Sequence, residues 1–123
     1  MLYKRLGRLP EICVLRVGVN VLDIEGAVIS DGNASSDYTR FAPASSGTGI
    51  VDKDATFALN WRDADQYAYW DKKRRKCAEV LVPELVSVDH IVGVYVGCDE
   101  AVDNLNATGA PIHTTVNEQL FFQ

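Results

Sequence analysis

One carboxylate, Glu79, stands inside the apolar stretch Cys77-Ala78-Glu79-Val80-Leu81-Val82, and five consecutive cations, residues 72–76, run straight into it. Val80, Leu81 and Val82 suit a pleated, half-buried strand. A carboxylate without a partner is expensive to bury, so stability alone does not favour glutamate there. Beside a dense cationic block, the same carboxylate is a candidate reaction centre for a substrate that carries phosphates. A plainer role is also open. Alternation puts Glu79 and Leu81 on one face and Ala78, Val80 and Val82 on the other. Glu79 could then be an edge-strand charge, or half of a solvated ion pair with Arg75. The cationic run by itself is equally compatible with a solvated helix face.

The rest of the chain is acidic. The formal net charge is −5, and without residues 72–76 seven cations face seventeen acids, a formal −10. Most of such a surface repels nucleic acid, so a phosphate-bearing polymer would have to dock locally at this one patch. Lys4, Arg5 and Arg8 form a second, weaker cluster. Three cysteines, Cys13, Cys77 and Cys98, are far apart and odd in number. That spacing argues against a disulfide framework and a zinc site, and their apolar neighbours predict buried free thiols. His90 and His113 are the two available imidazoles, with no helical His-Glu spacing around either. No metal is expected.

The elements that must position Glu79 can be read along the chain. At 123 residues, 47% hydrophobic and 24% charged, it has the length and balance of one soluble globular domain. No run is long enough to cross a membrane, and the start lacks the apolar core of a signal peptide, which makes the cytoplasm the expected location. Strands are predicted at 11–17, 27–29, 79–82 and 90–96, with terminal strands at 112–116 and 120–122. Pro83 stops the third of these, and Gly93 in the fourth predicts a bulge or a close backbone approach. A tight turn is expected at 19–22, turn formers fill 31–37, and the Pro/Gly/Ser-rich residues 41–49 read as irregular. Helices are predicted over 51–59, with Asp52 or Asp54 near the start, over 63–76 with Asp63 as N-cap, and over 99–106 after an Asp cap, closed by Gly109. The pattern is α+β rather than alternating βαβ. Its long irregular stretch, residues 31–49, leads through an aromatic, basic helix into Glu79, and long ordered loops are usually functional.

Four separated blocks carry a family resemblance: Ile12-Cys13-Val14-Leu15-Arg16-Val17, Asp31-Gly32-Asn33-Ala34-Ser35, Tyr38-Thr39-Arg40-Phe41 and Lys76-Cys77-Ala78-Glu79-Val80-Leu81-Val82-Pro83. In this order they resemble the DarT family, bacterial toxins that transfer ADP-ribose from NAD to thymidine in single-stranded DNA. The stretch Ile91-Val92-Gly93-Val94-Tyr95-Val96 also suits the strand that follows the family's catalytic one. The resemblance implies an ADP-ribosyltransferase-like mixed β-sheet core with short helices, present as a single partial domain over residues 1–123. It implies that Glu79 is the catalytic glutamate, and that residues 38–79 form an enlarged turn-turn loop facing DNA and leading into the catalytic strand.

Within that loop, Lys73, Arg74 and Arg75 are the candidates for DNA phosphates, and Tyr69, with Tyr67 or Trp70, for stacking an unpaired base. Two of those three aromatics are expected to be core residues of the helix. NAD is implied as co-substrate with no metal, and single-stranded DNA and a macrodomain antitoxin are the implied partners. Met1-Leu2-Tyr3 resembles the segment just after the family's arginine. Its upstream histidine and arginine therefore have no counterpart here, no cofactor-binding residue is assigned, and the chain is expected not to turn over NAD by itself. The alternatives are a non-catalytic remnant that binds nucleic acid or an antitoxin, and a small acidic structural domain.

Overall fold

The structure, a computed structural model, describes residues 2–121, with side chains from residue 7 onward. The described residues form six short strands, β1 (Cys13–Val17), β2 (Val28–Ser30), β3 (Phe41–Pro43), β4 (Glu79–Leu81), β5 (Ile91–Val96) and β6 (Thr114–Val116), together with four helices. The helices are α1 (Lys53–Thr56), α2 (Gln66–Lys76), α3 (Asp99–Ala107) and α4 (Glu118–Phe121), and tighter 3-10 turns link them. The expected α+β class is what the structure has. The chain forms two compact units, Val19–Val86 and the pair of segments Met1–Gly18 and Ser87–Gln123.

In the two-segment unit, β5 lies between β1, antiparallel, and β6, parallel. Val94, Val96 and Ala101 are buried there, and Val102, Leu105 and Ile112 pack on them. Gly93 meets both expectations. The β1–β5 register breaks beside it, where Arg16 faces Gly93 but Val17 faces Ile91, leaving Val92 as the extra residue. A Cβ on Gly93 would sit 3.0 Å from the His113 carbonyl oxygen, so the neighbouring backbone approaches as closely as glycine allows.

Two terminal expectations change. The helix α3 follows Cys98, which provides no side-chain cap, and Asp99 lies inside the first turn near the positive helix end instead of capping it. Gly109, at φ +74°, does close this segment in the left-handed conformation. Leu120 and Phe121 belong to a helix rather than the expected strand, because Asn117 Oδ1 accepts the Leu120 N–H at 3.3 Å and Phe121 turns into the interior. Phe122, the end of that expected strand, lies outside the described residues, as do the side chains of Lys4 and Arg5.

The Val19–Val86 unit is built on β2, flanked antiparallel by β3 and β4. Ala27, Ile29 and Ala44 are its buried core, with Leu22, Ile24, Ile50 and Val51 packed around them. Residues 41–43, expected to be irregular, form β3 because they complete the β2 ladder, and Pro43 is tolerated on this edge strand. The helix α1 is shorter than expected and is capped by Asp52, whose Oδ1 accepts the Ala55 N–H at 2.9 Å. Asp65, not Asp63, caps α2 through the Ala68 N–H. Asp63 instead folds into a turn that accepts the Asp65 N–H and the Lys72 ammonium. The three cysteines are free thiols, but Cys13 and Cys77 are exposed rather than buried. Cys13 falls on the outward alternation of β1, and Cys77 is the C-cap of α2. Among the described residues no helix is long and apolar enough to cross a membrane.

Candidate functional site

Glu79 is the first residue of β4 and is exposed on the sheet's edge. Directly opposite it on β2 is Ser30, which is completely buried. The Ser30 hydroxyl donates to the Gly32 carbonyl at 2.7 Å and accepts the Glu79 N–H at 3.3 Å. One short side chain thus ties the backbone of Glu79 to the start of the following loop. The Glu79 carboxylate in turn accepts the Ala34 N–H on Oε1 at 3.0 Å. Among the described residues Glu79 forms no ion pair, and its Oε2 has no hydrogen-bond partner.

Residues 31–40, dense in turn formers, fold into an ordered loop. Asn33 Oδ1 accepts both the N–H and the hydroxyl of Ser35, at 3.0 and 2.8 Å. Thr39 closes the loop by donating to the Asn33 carbonyl at 2.7 Å. The anchor is Asp31, with a side chain only 7% exposed. It accepts the Arg40 backbone N–H at 2.9 Å, Arg40 Nε at 3.0 Å and Arg74 Nη1 at 2.9 Å. Burial pushes the Asp31 carboxyl up, but the donors from Arg40 and Arg74 outweigh it and hold the group below its ordinary value. Gly32 is required by space: a Cβ there would lie 2.6 Å from Arg74 Nη1 and 2.9 Å from the Arg74 carbonyl oxygen. That same carbonyl accepts the Asn33 N–H at 3.0 Å. Arg74 therefore holds the loop that presents the Ala34 N–H to Glu79.

The five cations have distinct assignments. Arg74, 12% exposed, also reaches Asp71. Arg75 pairs with Asp52 at 3.0 Å and does not form the ion pair with Glu79 that the plainer reading allowed. Its Nε lies 2.8 Å from Asp71 Oδ2 as a close ion pair without hydrogen-bond alignment. The Lys76 ammonium donates to the Ala58 carbonyl at 2.6 Å and sits 5.1 Å above the Trp61 ring. Lys72 pairs with Asp63 at 2.7 Å. Lys73, exposed in the last turn of α2, has no ion pair among the described residues. Of the phosphate candidates, it alone presents an uncommitted charge.

The aromatic side chains depart from expectation. Tyr67 is 80% and Trp70 54% exposed, so two of the three are not core, and Tyr69 is half-buried. The helix α2 is held to its unit by the polar anchors Arg74, Arg75 and Lys76, which leaves these rings outside. Beside Glu79 a cavity of about 250 Å³ has the apolar walls Ile29, Val51, Phe57 and Val80. No cluster of three or more His, Cys, Asp or Glu side chains among the described residues could hold a metal ion. The clamp from Ala34 and the loop anchor Asp31 were not foreseen from sequence. The Asp31-Gly32 pair was a visible turn signal, but its partner lies 43 residues away.

Comparison with known proteins places this geometry. The family model described as ssDNA thymidine ADP-ribosyltransferase, DarT, matches residues 1–122. The solved structure of Thermosipho africanus DarTG in complex with ADP-ribose matches at 27% identity and a TM-score of 0.73, over 99% of this chain and 32% of that one. Thermus sp. 2.9 DarT in complex with carba-NAD+ matches at 16% identity and a TM-score of 0.71, over 89% of this chain and 57% of that one. The same protein in complex with NAD+ matches at 16% identity with a TM-score of 0.64, over 77% and 48%. No curated protein matches. The chain thus spans about a third of the Thermosipho protein and, at most, 57% of the Thermus protein.

Proposed function

The chain belongs to the DarT family, and on that premise we propose that it supplies the catalytic carboxylate, Glu79, for transfer of ADP-ribose from NAD to thymidine in single-stranded DNA. The observation that carries this proposal is the half-clamped Glu79 side chain on an edge strand, with Oε1 bonded to the Ala34 N–H and Oε2 without a partner among the described residues. A carboxylate fixed in this way can accept a hydrogen bond from the 2′-hydroxyl of the NAD ribose. As the nicotinamide–ribose bond breaks, positive charge builds on the ribose ring, and a preorganised anion stabilises it mainly in the transition state. A thymine ring nitrogen then attacks the ribose carbon as nicotinamide departs, and the proton of that nitrogen passes to solvent. Single-stranded DNA is the fitting acceptor because its bases need not be unstacked.

The loop anchored by Asp31 keeps Glu79 oriented without reorganisation during the reaction. For docking, Lys73 is the main phosphate contact, half-exposed Arg75 a secondary one, and Arg74 acts chiefly by holding the loop. Tyr69 is half-buried, which limits the ring face it can offer to a base. The biological setting that fits is a cytoplasmic toxin countered by a macrodomain antitoxin. The likeness to a DarTG protein supports that pairing.

The test is Glu79→Gln, which keeps size and hydrogen bonding but removes the charge. It is assayed with NAD and a thymidine-rich single strand, in the chain joined to the part of the Thermus sp. 2.9 protein that it does not span. DNA modification should be abolished with the far-UV circular dichroism unchanged. A rate within about threefold of the parent would put the lost stabilisation under about 1 kcal/mol and overturn the assignment.

A further inference from the structure

We infer that Tyr38, Tyr67 and Trp70 form a stacking subsite for an unpaired base of the single strand, an inference that rests on the DNA-docking function proposed above. The three aromatics line a cavity of about 450 Å³ together with Ser36, Asp71 and Arg74. They are 85%, 80% and 54% exposed, an unusual outlay of large rings for a unit whose buried core is Ala27, Ile29 and Ala44. Tyr67 and Trp70 lie one helical turn apart on α2 and meet edge to face, with ring centroids 6.1 Å apart at 81°. In such a pair one ring keeps both faces open. Tyr38 comes from the separate loop anchored by Asp31 and lines the same cavity.

Charge decides the occupant. Continuing along α2 from Tyr67 and Trp70 by the same helical step reaches Lys73 and Arg74. One nucleotide can therefore lay its base on Trp70 and its phosphate toward Lys73, which has no ion pair among the described residues. The acid in the cavity, Asp71, is contacted by both Arg74 and Arg75 and does not present a bare charge to a phosphate. Open aromatic faces beside a cation are the combination that holds single strands with little sequence preference. A protein segment would need no such alternation of ring and cation.

The experiment titrates the full chain with a short, labelled thymidine-only oligonucleotide, single-stranded and then as duplex, reading oligonucleotide anisotropy and tryptophan quenching. Trp70→Ala should weaken single-strand binding by about 5-fold to 150-fold and leave its salt dependence unchanged. Trp70→Phe should restore most of the affinity. Tyr38→Ala, on a different element, should weaken binding in the same direction. Lys73→Gln should lower the log–log salt slope by about 0.7. Trp61 remains in every variant to report folding in urea. If Trp70→Ala and Tyr38→Ala bind within about twofold of the parent while Lys73→Gln lowers the slope, DNA docking stands and the stacking subsite is overturned. Equal loss of single-strand and duplex binding in Trp70→Ala would also overturn it. Failure of the parent chain to bind any single strand at low salt would remove the docking function and this inference together.

Discussion

Replacing Arg74 by Met separates structural from DNA-binding use of the cationic run. Methionine keeps much of the apolar stem but removes the guanidinium from Asp31, Asp71 and Thr39. The Asp31 contact joins two side chains only 12% and 7% exposed. A hydrogen bond between such charged groups contributes about 1.5–3 kcal/mol. Stranding one partner of a fully buried pair costs about 3–5 kcal/mol, an upper limit here because Asp31 keeps both bonds from Arg40. The half-exposed Asp71 contact adds about 0–1 kcal/mol. The expected loss is therefore about 3 kcal/mol. Trp61 and Trp70 both lie in the Val19–Val86 unit, so tryptophan emission in urea reports on that unit alone. With a denaturant slope of about 1–1.5 kcal/mol per molar, the midpoint should fall by about 2–3 M, or the unit should be unfolded in buffer. Lys73→Gln, at an exposed residue with no ion pair among the described residues, should stay within about 0.5 kcal/mol of the parent. An Arg74→Met variant as stable as Lys73→Gln would refute the anchoring role and return Arg74 to the list of free phosphate contacts.

Acid should destabilise the same unit. The Asp31 carboxyl is held below its unfolded value, as are Asp52 by the Ala55 N–H and Asp63 by the Lys72 ammonium. Their contribution is fully present above the unfolded value of about 3.9 and is lost as pH falls through the lower folded values. Urea midpoints measured from pH 6 downward should hold until about pH 4 and then drop, with a shallower drop in Asp31→Asn; an identical acid limb in that variant would count against the network. Thiol titration of the native chain should find Cys13 and Cys77 reacting quickly and Cys98 more slowly, and three equally slow thiols would contradict their exposure.

Sequence by itself determined the parts whose signals are local. Alternating β-branched residues marked β1 and β5, the acid-to-base gradient marked α2, and Gly93 announced both a bulge and a close backbone approach. Glu79 was visible because a charged residue interrupts an apolar run, and the ordered blocks around it carried the family, which the match over residues 1–122 establishes. Tertiary structure decided everything that depends on a distant partner. Residues 41–43 become a strand only because β2 offers a ladder, and the choice of Asp65 over Asp63 as cap follows from where Lys72 draws Asp63. The Lys72–Lys76 run looked uniform in one dimension, yet packing turned Arg74 inward to Asp31, occupied Arg75 and Lys76, and left Lys73 outside. For the same reason Tyr67 and Trp70, expected in part as core, face outward: α2 is fastened by charge and hydrogen bonds across the fold, and no pattern of apolar residues along the helix records where those partners stand.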